Sequence, residues 1–104
     1  MQEELAWLQE WYRRQCNGQW ELARGIRLDT LDKPGWSVEI DLYGTALENR
    51  TLAMVSRQDS ETEWIRCWTA DGQFRAFGGP RDLGRIVRVF REWVETETSV
   101  SGLA

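Results

Sequence analysis

Over residues 36–42 apolar and polar side chains alternate without a break, Trp36, Val38, Ile40 and Leu42 against Ser37, Glu39 and Asp41. This is the period-two pattern of a strand buried on one face. Upstream, Ile26 and Leu28 alternate with Arg27 and Asp29, and Gly25 precedes them where a bulge or a close backbone approach would place a glycine. Between the two runs stand Leu31, Asp32, Lys33, Pro34 and Gly35. Pro34 presets φ and Gly35 is free to take φ > 0, so the pattern predicts a turn and a hairpin around it.

The remaining periodicities supply the other elements. Residues 3–16 have helical spacing, with Leu5, Leu8 and Tyr12 as the apolar stripe and Trp7 and Trp11 beside it, and Asn17-Gly18 closes that helix. Residues 43–49 read as a connection turning at Gly44 and Asn49. Residues 51–57 predict a short strand, Leu52 and Met54 alternating with Ala53 and Val55, followed by a polar, acidic loop at 58–62. In the next strand, residues 63–69, Ile65 and Cys67 share one face and Trp64, Arg66 and Trp68 the other. Only one of those faces belongs to the principal core. Asp71-Gly72 is a strong hairpin signal leading into a strand at 73–77. After Gly78-Gly79-Pro80, residues 81–97 carry Leu83, Ile86, Val87, Phe90, Trp93 and Val94 at helical spacing. Arg81, Arg85, Arg88 and Glu92 form its outer face, where an Arg88–Glu92 pair adds at most roughly 0.5 kcal/mol. The reading is an α+β fold of two layers: an N-terminal helix, an antiparallel meander of about five strands and a C-terminal helix. It occupies one domain over 1–97, with 98–104 as a flexible tail. Both helices are expected on one sheet face, which leaves the other to water or to a partner.

Composition narrows the classes. Of 104 residues 41% are hydrophobic and 29% charged, the balance of a single soluble domain. No apolar run approaches the roughly 20 residues of a membrane span, and the acidic Met1-Gln2-Glu3-Glu4 lacks the features of a signal peptide. A cytoplasmic location is expected. Cys16 and Cys67 lie far apart in sequence and read as reduced thiols. Histidine is absent, which removes the commonest general base and metal ligand together. Seventeen acidic against thirteen basic side chains give a net charge of -4, which argues against nucleic acid and suits a basic partner.

Glu39 and Asp41 project from one strand face roughly 7 Å apart, in range for acid and base work on a glycoside, although such pairs are far more often plain surface. Asp29 from the paired strand adds a third carboxylate, but regular strand geometry holds the three too far apart to wrap one cation. The cysteines have no histidine to activate them, no nucleophile elbow or nucleotide loop is present, and Gly78-Gly79-Pro80 is too short for a phosphate-binding turn. No catalytic, cofactor or metal residue is assigned. Recognition fits better. Seven tryptophans exceed what a small core buries, and tryptophan and arginine are enriched at interface hot spots. Trp64, Arg66 and Trp68 form such a patch when outward, with Asp29, Glu39 and Asp41 as an acidic field nearby. In the alternative arrangement Trp64 and Trp68 pack beneath a helix and Arg66 snorkels past them.

The run Gln15-Cys16-Asn17-Gly18, Trp20-Glu21, Gly25-Ile26, Thr30-Leu31-Asp32, Pro34-Gly35-Trp36 and Ile40-Asp41-Leu42 resembles the immunity protein 53 family. Trp7-Leu8-Gln9, Trp11-Tyr12 and, more loosely, Gly78-Gly79-Pro80 extend the likeness over most of the chain. The family pattern often has an acidic residue and a histidine beside the motif tryptophan, where this chain has Gln19 before Trp20 and Leu22-Ala23 after Glu21. The resemblance implies a small cytoplasmic protein of a bacterial polymorphic toxin system. Its partner would be the C-terminal domain of a cognate toxin, neutralised by stoichiometric binding, and neither nucleic acid nor membrane is implied. The chain itself is expected to be a monomer or a weak homodimer. The residues expected to face the toxin are Asp29, Asp32, Glu39, Asp41, Trp64, Arg66 and Trp68. A different class stands beside this one, a small ligand-binding module that stacks exposed tryptophans on sugars or bases.

Overall fold

The computed structural model describes residues 2–102, and side-chain surroundings over residues 2–98. Helix α1 (Gln2–Gln15) is followed by one short helical turn, α2 (Trp20–Ala23), then strands β1 (Ile26–Thr30), β2 (Trp36–Asp41), β3 (Val55–Gln58), β4 (Trp64–Ala70) and β5 (Gln73–Gly78), and helix α3 (Leu83–Gly102). The helix therefore continues into the stretch expected as a tail, and residues 103 and 104 lie outside those described.

The five strands form one antiparallel sheet between an N-terminal and a C-terminal helix, the α+β architecture expected. Their order is β1-β2-β5-β4-β3, so the straight meander is modified: β5, not β3, lies beside β2. Residues 42–54 make this possible by crossing the end of the sheet, where Leu42 N–H donates to the Gly72 carbonyl and Leu52 N–H to Thr69 Oγ1 at 2.9 Å each. This connection turns at Gly44 (φ +81°) and Asn49 (φ +69°), as expected, and buries Leu42 and Leu47. The order places the apolar strands β2 and β5 inside and the polar, short β1 and β3 at the edges, which keeps the most water-averse segments flanked on both sides.

Alternation assigns the faces. Val38, Ile40, Ile65, Cys67, Phe74 and Ala76 point into the core, beneath Ile86, Phe90 and Trp93 of α3. Phe74 meets Phe90 at 4.9 Å between centroids and Trp93 at 6.4 Å. Helix α3 lies on β4 and β5, and α1 packs along α3. The α1 stripe differs from the expected one. Leu8 and Trp11 are buried with Glu4, whereas Leu5 and Tyr12 are 44% and 39% exposed. The face is set by α3: Phe90 receives the Trp11 edge at 5.0 Å and Arg88 receives Glu4 at 3.0 Å. Arg88 is thereby drawn to α1, not to Glu92.

Glycines mark tight places. Asp71 and Gly72 both have positive φ (54° and 74°), the two-residue hairpin their sequence predicts. Gly35 does not use positive φ; a side chain there would collide with the Gly78 carbonyl, so close approach is its reason. Gly25 has open space around it, and the expected bulge or close approach is not its role.

Candidate recognition surface

Both helices cover the same face of the sheet, and the side chains opposite the core form the open face. Pairing arranges them in rows across the strands. One row runs Asp29, Ser37, Phe77, Arg66, Ser56; the next runs Arg27, Glu39, Arg75, Trp68. Trp64, Arg66 and Trp68 therefore lie on the open face with Glu39 and Asp29, because Ile65 and Cys67 took the core side. Adjacent strands are about 4.8 Å apart, so Asp29 and Arg66, three strands apart in one row, are separated by about 14 Å. The acidic and aromatic groups occupy opposite halves of the face.

The aromatic half is a cluster. Trp68 packs against Phe77 with centroids 5.7 Å apart and rings tilted by 44°. Phe77 remains 37% exposed, Trp64 and Trp68 are half-buried, and Arg66 is exposed. Phe77 was not singled out from the sequence, although alternation from the buried Phe74 and Ala76 puts it outward with Gln73 and Arg75. Trp68 shares its ring with Phe77 and both tryptophans are half-buried, so less of each ring is open for stacking than in a fully exposed side chain.

The acidic half is less acidic than its residue list. Glu39 is flanked across the strands by Arg27 and Arg75, with Arg27 Nη1 3.9 Å from its carboxylate. Asp29 and Asp32 are exposed, the latter in the turn between β1 and β2. Asp41 is 6% exposed. Its Oδ2 accepts the Gly25 N–H and its Oδ1 the Gln73 side-chain amide, each at 2.9 Å. Gln73 in turn accepts from Arg75 Nε at 3.0 Å, and Arg75 reaches Asp71 at 3.3 Å. Asp41 is thus a clasp between the start of β1 and the end of the sheet, with both oxygens occupied.

Elsewhere, a groove of about 470 Å³ separates α3 from β3, floored by Leu52, Val55, Ile65 and Val89. Two arginines at its rim are already engaged, Arg85 by Asp59 at 3.1 Å and Arg88 by Glu4, and Arg57 also lines it. Burial pushes the Cys67 thiol up to about 12, and neither cysteine is in a disulfide. Among the described residues no group of three or more His, Cys, Asp or Glu is placed to hold a metal ion.

A family model described as immunity protein 53 matches residues 5–95, from α1 through most of α3. The chain belongs to the immunity protein 53 family. No curated protein and no solved structure matches it. In this family member the residues that carry the resemblance build the scaffold. Asn17 Oδ1 accepts the N–H groups of Gln19 and Trp20, and the Glu21 carboxylate accepts those of Asn17 and Gly18, a reciprocal cap around α2. Trp20 is buried and donates Nε1–H to the Tyr43 carbonyl at 2.8 Å, while Trp36 does the same to Pro80 at 3.0 Å. The positions that depart from the family pattern, Gln19, Leu22 and Ala23, are all exposed. Leu22 is 82% exposed, and nearby Arg24 lies 4.5 Å over the ring of the exposed Tyr43.

Proposed function

We propose that the chain neutralises a bacterial toxin by stoichiometric binding to the toxin's C-terminal domain in the cytoplasm of the producing cell, without catalysing a reaction. The open sheet face is the contact surface. Family membership supports the general role, and one observation supports the surface: the Trp68–Phe77 pair, with Trp64 and Arg66 beside it, lies on a face that no helix covers. Partly exposed aromatic and arginine side chains on a rigid sheet have the composition of an interface hot spot, and they lose little conformational entropy on binding. Asp29, Asp32 and Glu39 border this cluster and fix orientation through charge. Asp41 supports the face from within the hydrogen-bond network. Because Arg27, Arg66 and Arg75 interleave with the carboxylates, the face matches a partner of mixed charge, rather than imitating a run of phosphates.

The test is calorimetry of the purified chain with the C-terminal domain of the large secreted protein encoded beside it, at low and high salt. One-to-one binding that weakens in salt is expected, with Glu39→Lys slowing association and leaving the fold intact. Absence of binding at either salt concentration would overturn the proposal.

A further inference from the structure

Strand β1 is an edge of the sheet, and its outer side is bare. Arg27, Leu28, Asp29 and Thr30 are all exposed, with Leu28 at 42%. Edge strands are usually protected from unwanted pairing by a proline, charged side chains, a bulge or short length. β1 has no proline and no bulge, its register with β2 is unbroken from Ile26↔Ile40 to Thr30↔Trp36, and its two charges, Arg27 and Asp29, are of opposite sign. The direction of its free backbone groups follows from the ladder. Gly25 C=O accepts Asp41 N–H at 3.0 Å and Leu31 N–H donates to Gly35 C=O at 3.0 Å. Alternation then turns Arg27 and Asp29 toward β2, and leaves the N–H and C=O of Ile26, Leu28 and Thr30 pointing away from the sheet.

We propose that this edge pairs with the same edge of a second copy of the chain, antiparallel about a two-fold axis at Leu28. In that register Leu28 faces Leu28 of the second copy and Ile26 faces Thr30, so every outward backbone group meets another. Arg27 faces Asp29 of the second copy, twice by symmetry. The charges also choose the register. A slip of two residues one way sets Arg27 against Arg27; the other way sets Asp29 against Asp29. Only the Leu28-centred pairing brings opposite charges together. The other edge, β3, reads Val-Ser-Arg-Gln and offers no such self-complementarity. Five residue pairs form a small interface, so the dimer is weak, with a dissociation constant of the order of 10⁻⁴ M. Its two sheets join into one of ten strands, with both open faces on the same side.

Sedimentation of the chain alone, from about 10 µM to 1 mM, reads the association directly. Growth toward a dimer is expected, together with concentration-dependent slowing of amide exchange at Ile26, Leu28 and Thr30. Asp29→Arg should weaken the dimer about tenfold by setting like charges opposite each other at both sites. The double swap Arg27→Asp with Asp29→Arg should restore it. All these side chains are exposed, and circular dichroism checks each fold. A monomer throughout the range, a dimer indifferent to Asp29→Arg, or a swap that fails to rescue would each overturn the proposal.

Discussion

Asp41 illustrates what a single side chain does here. By alternation it belongs with Ser37 and Glu39 on the outer face, and it does point there. Its carboxylate is nevertheless taken up by the Gly25 N–H and the Gln73 amide. Asp41→Ala leaves both donors unpaired in a buried place, and a loss of about 1–3 kcal/mol is expected in urea unfolding. Asp41→Asn should also destabilise, because both partners are donors and the new amide turns a donor toward one of them. Alternation reports which way a side chain leaves its strand, and it says nothing of a partner 16 or 32 residues away. The same limit hid Asp82. It stands at the start of the helix expected over 81–97 with no role of its own in the pattern, yet it is 4% exposed and accepts the Trp64 N–H at 2.9 Å.

Among the elements, α1 and α3 depend on each other most. Helical spacing identified both, and the inward residues of α3 are those expected, Ile86, Val87, Phe90, Trp93 and Val94. The rotation of α1 was not legible, since Leu5 or Trp11 would each complete an apolar stripe with Leu8. Contact with Phe90 and Arg88 decided it. A hydrogen bond from the backbone and another from the Arg88 guanidinium hold the Glu4 carboxyl down to about 2, from an ordinary value of 4.5. The unfolded chain therefore takes up this proton first as pH falls. The stability from Glu4 is fully present above about pH 4.5 and drains away as pH falls to about 2. Urea midpoints measured across that interval should fall more steeply for the native chain than for Glu4→Gln, whose residue 4 does not titrate.

For the whole molecule, the consequence of the topology is that the helices share one side of the sheet. The surface left bare carries Trp64, Arg66, Trp68 and Phe77. Trp68→Ala is expected to weaken toxin binding about 30-fold while costing about 1 kcal/mol of stability through the lost Phe77 contact. Calorimetry paired with an unfolding curve separates the two effects. Unchanged affinity in a folded Trp68→Ala protein would move the contact to another surface, of which the exposed Leu22 and Tyr43 patch is the next candidate.

The sequence by itself determined the two long helices, the strands β1, β2, β4 and β5, the Asp71-Gly72 hairpin, the turning points Gly44 and Asn49, and the two-sided character of β4, because each is encoded within a few residues by backbone preference and hydrophobic period. It did not show the helical turn α2, and the strand expected at 51–57 is β3 at Val55–Gln58, because residues up to 54 belong to the connection that crosses the end of the sheet, where Thr69 holds the Leu52 N–H. The tertiary structure alone decided that β5 inserts beside β2, which face of α1 turns inward, and that Asp41 is a clasp while Asp29 stays free in solvent. Those outcomes rest on which distant segments bury the most apolar surface together and which buried polar groups find partners, and that competition has no local signature.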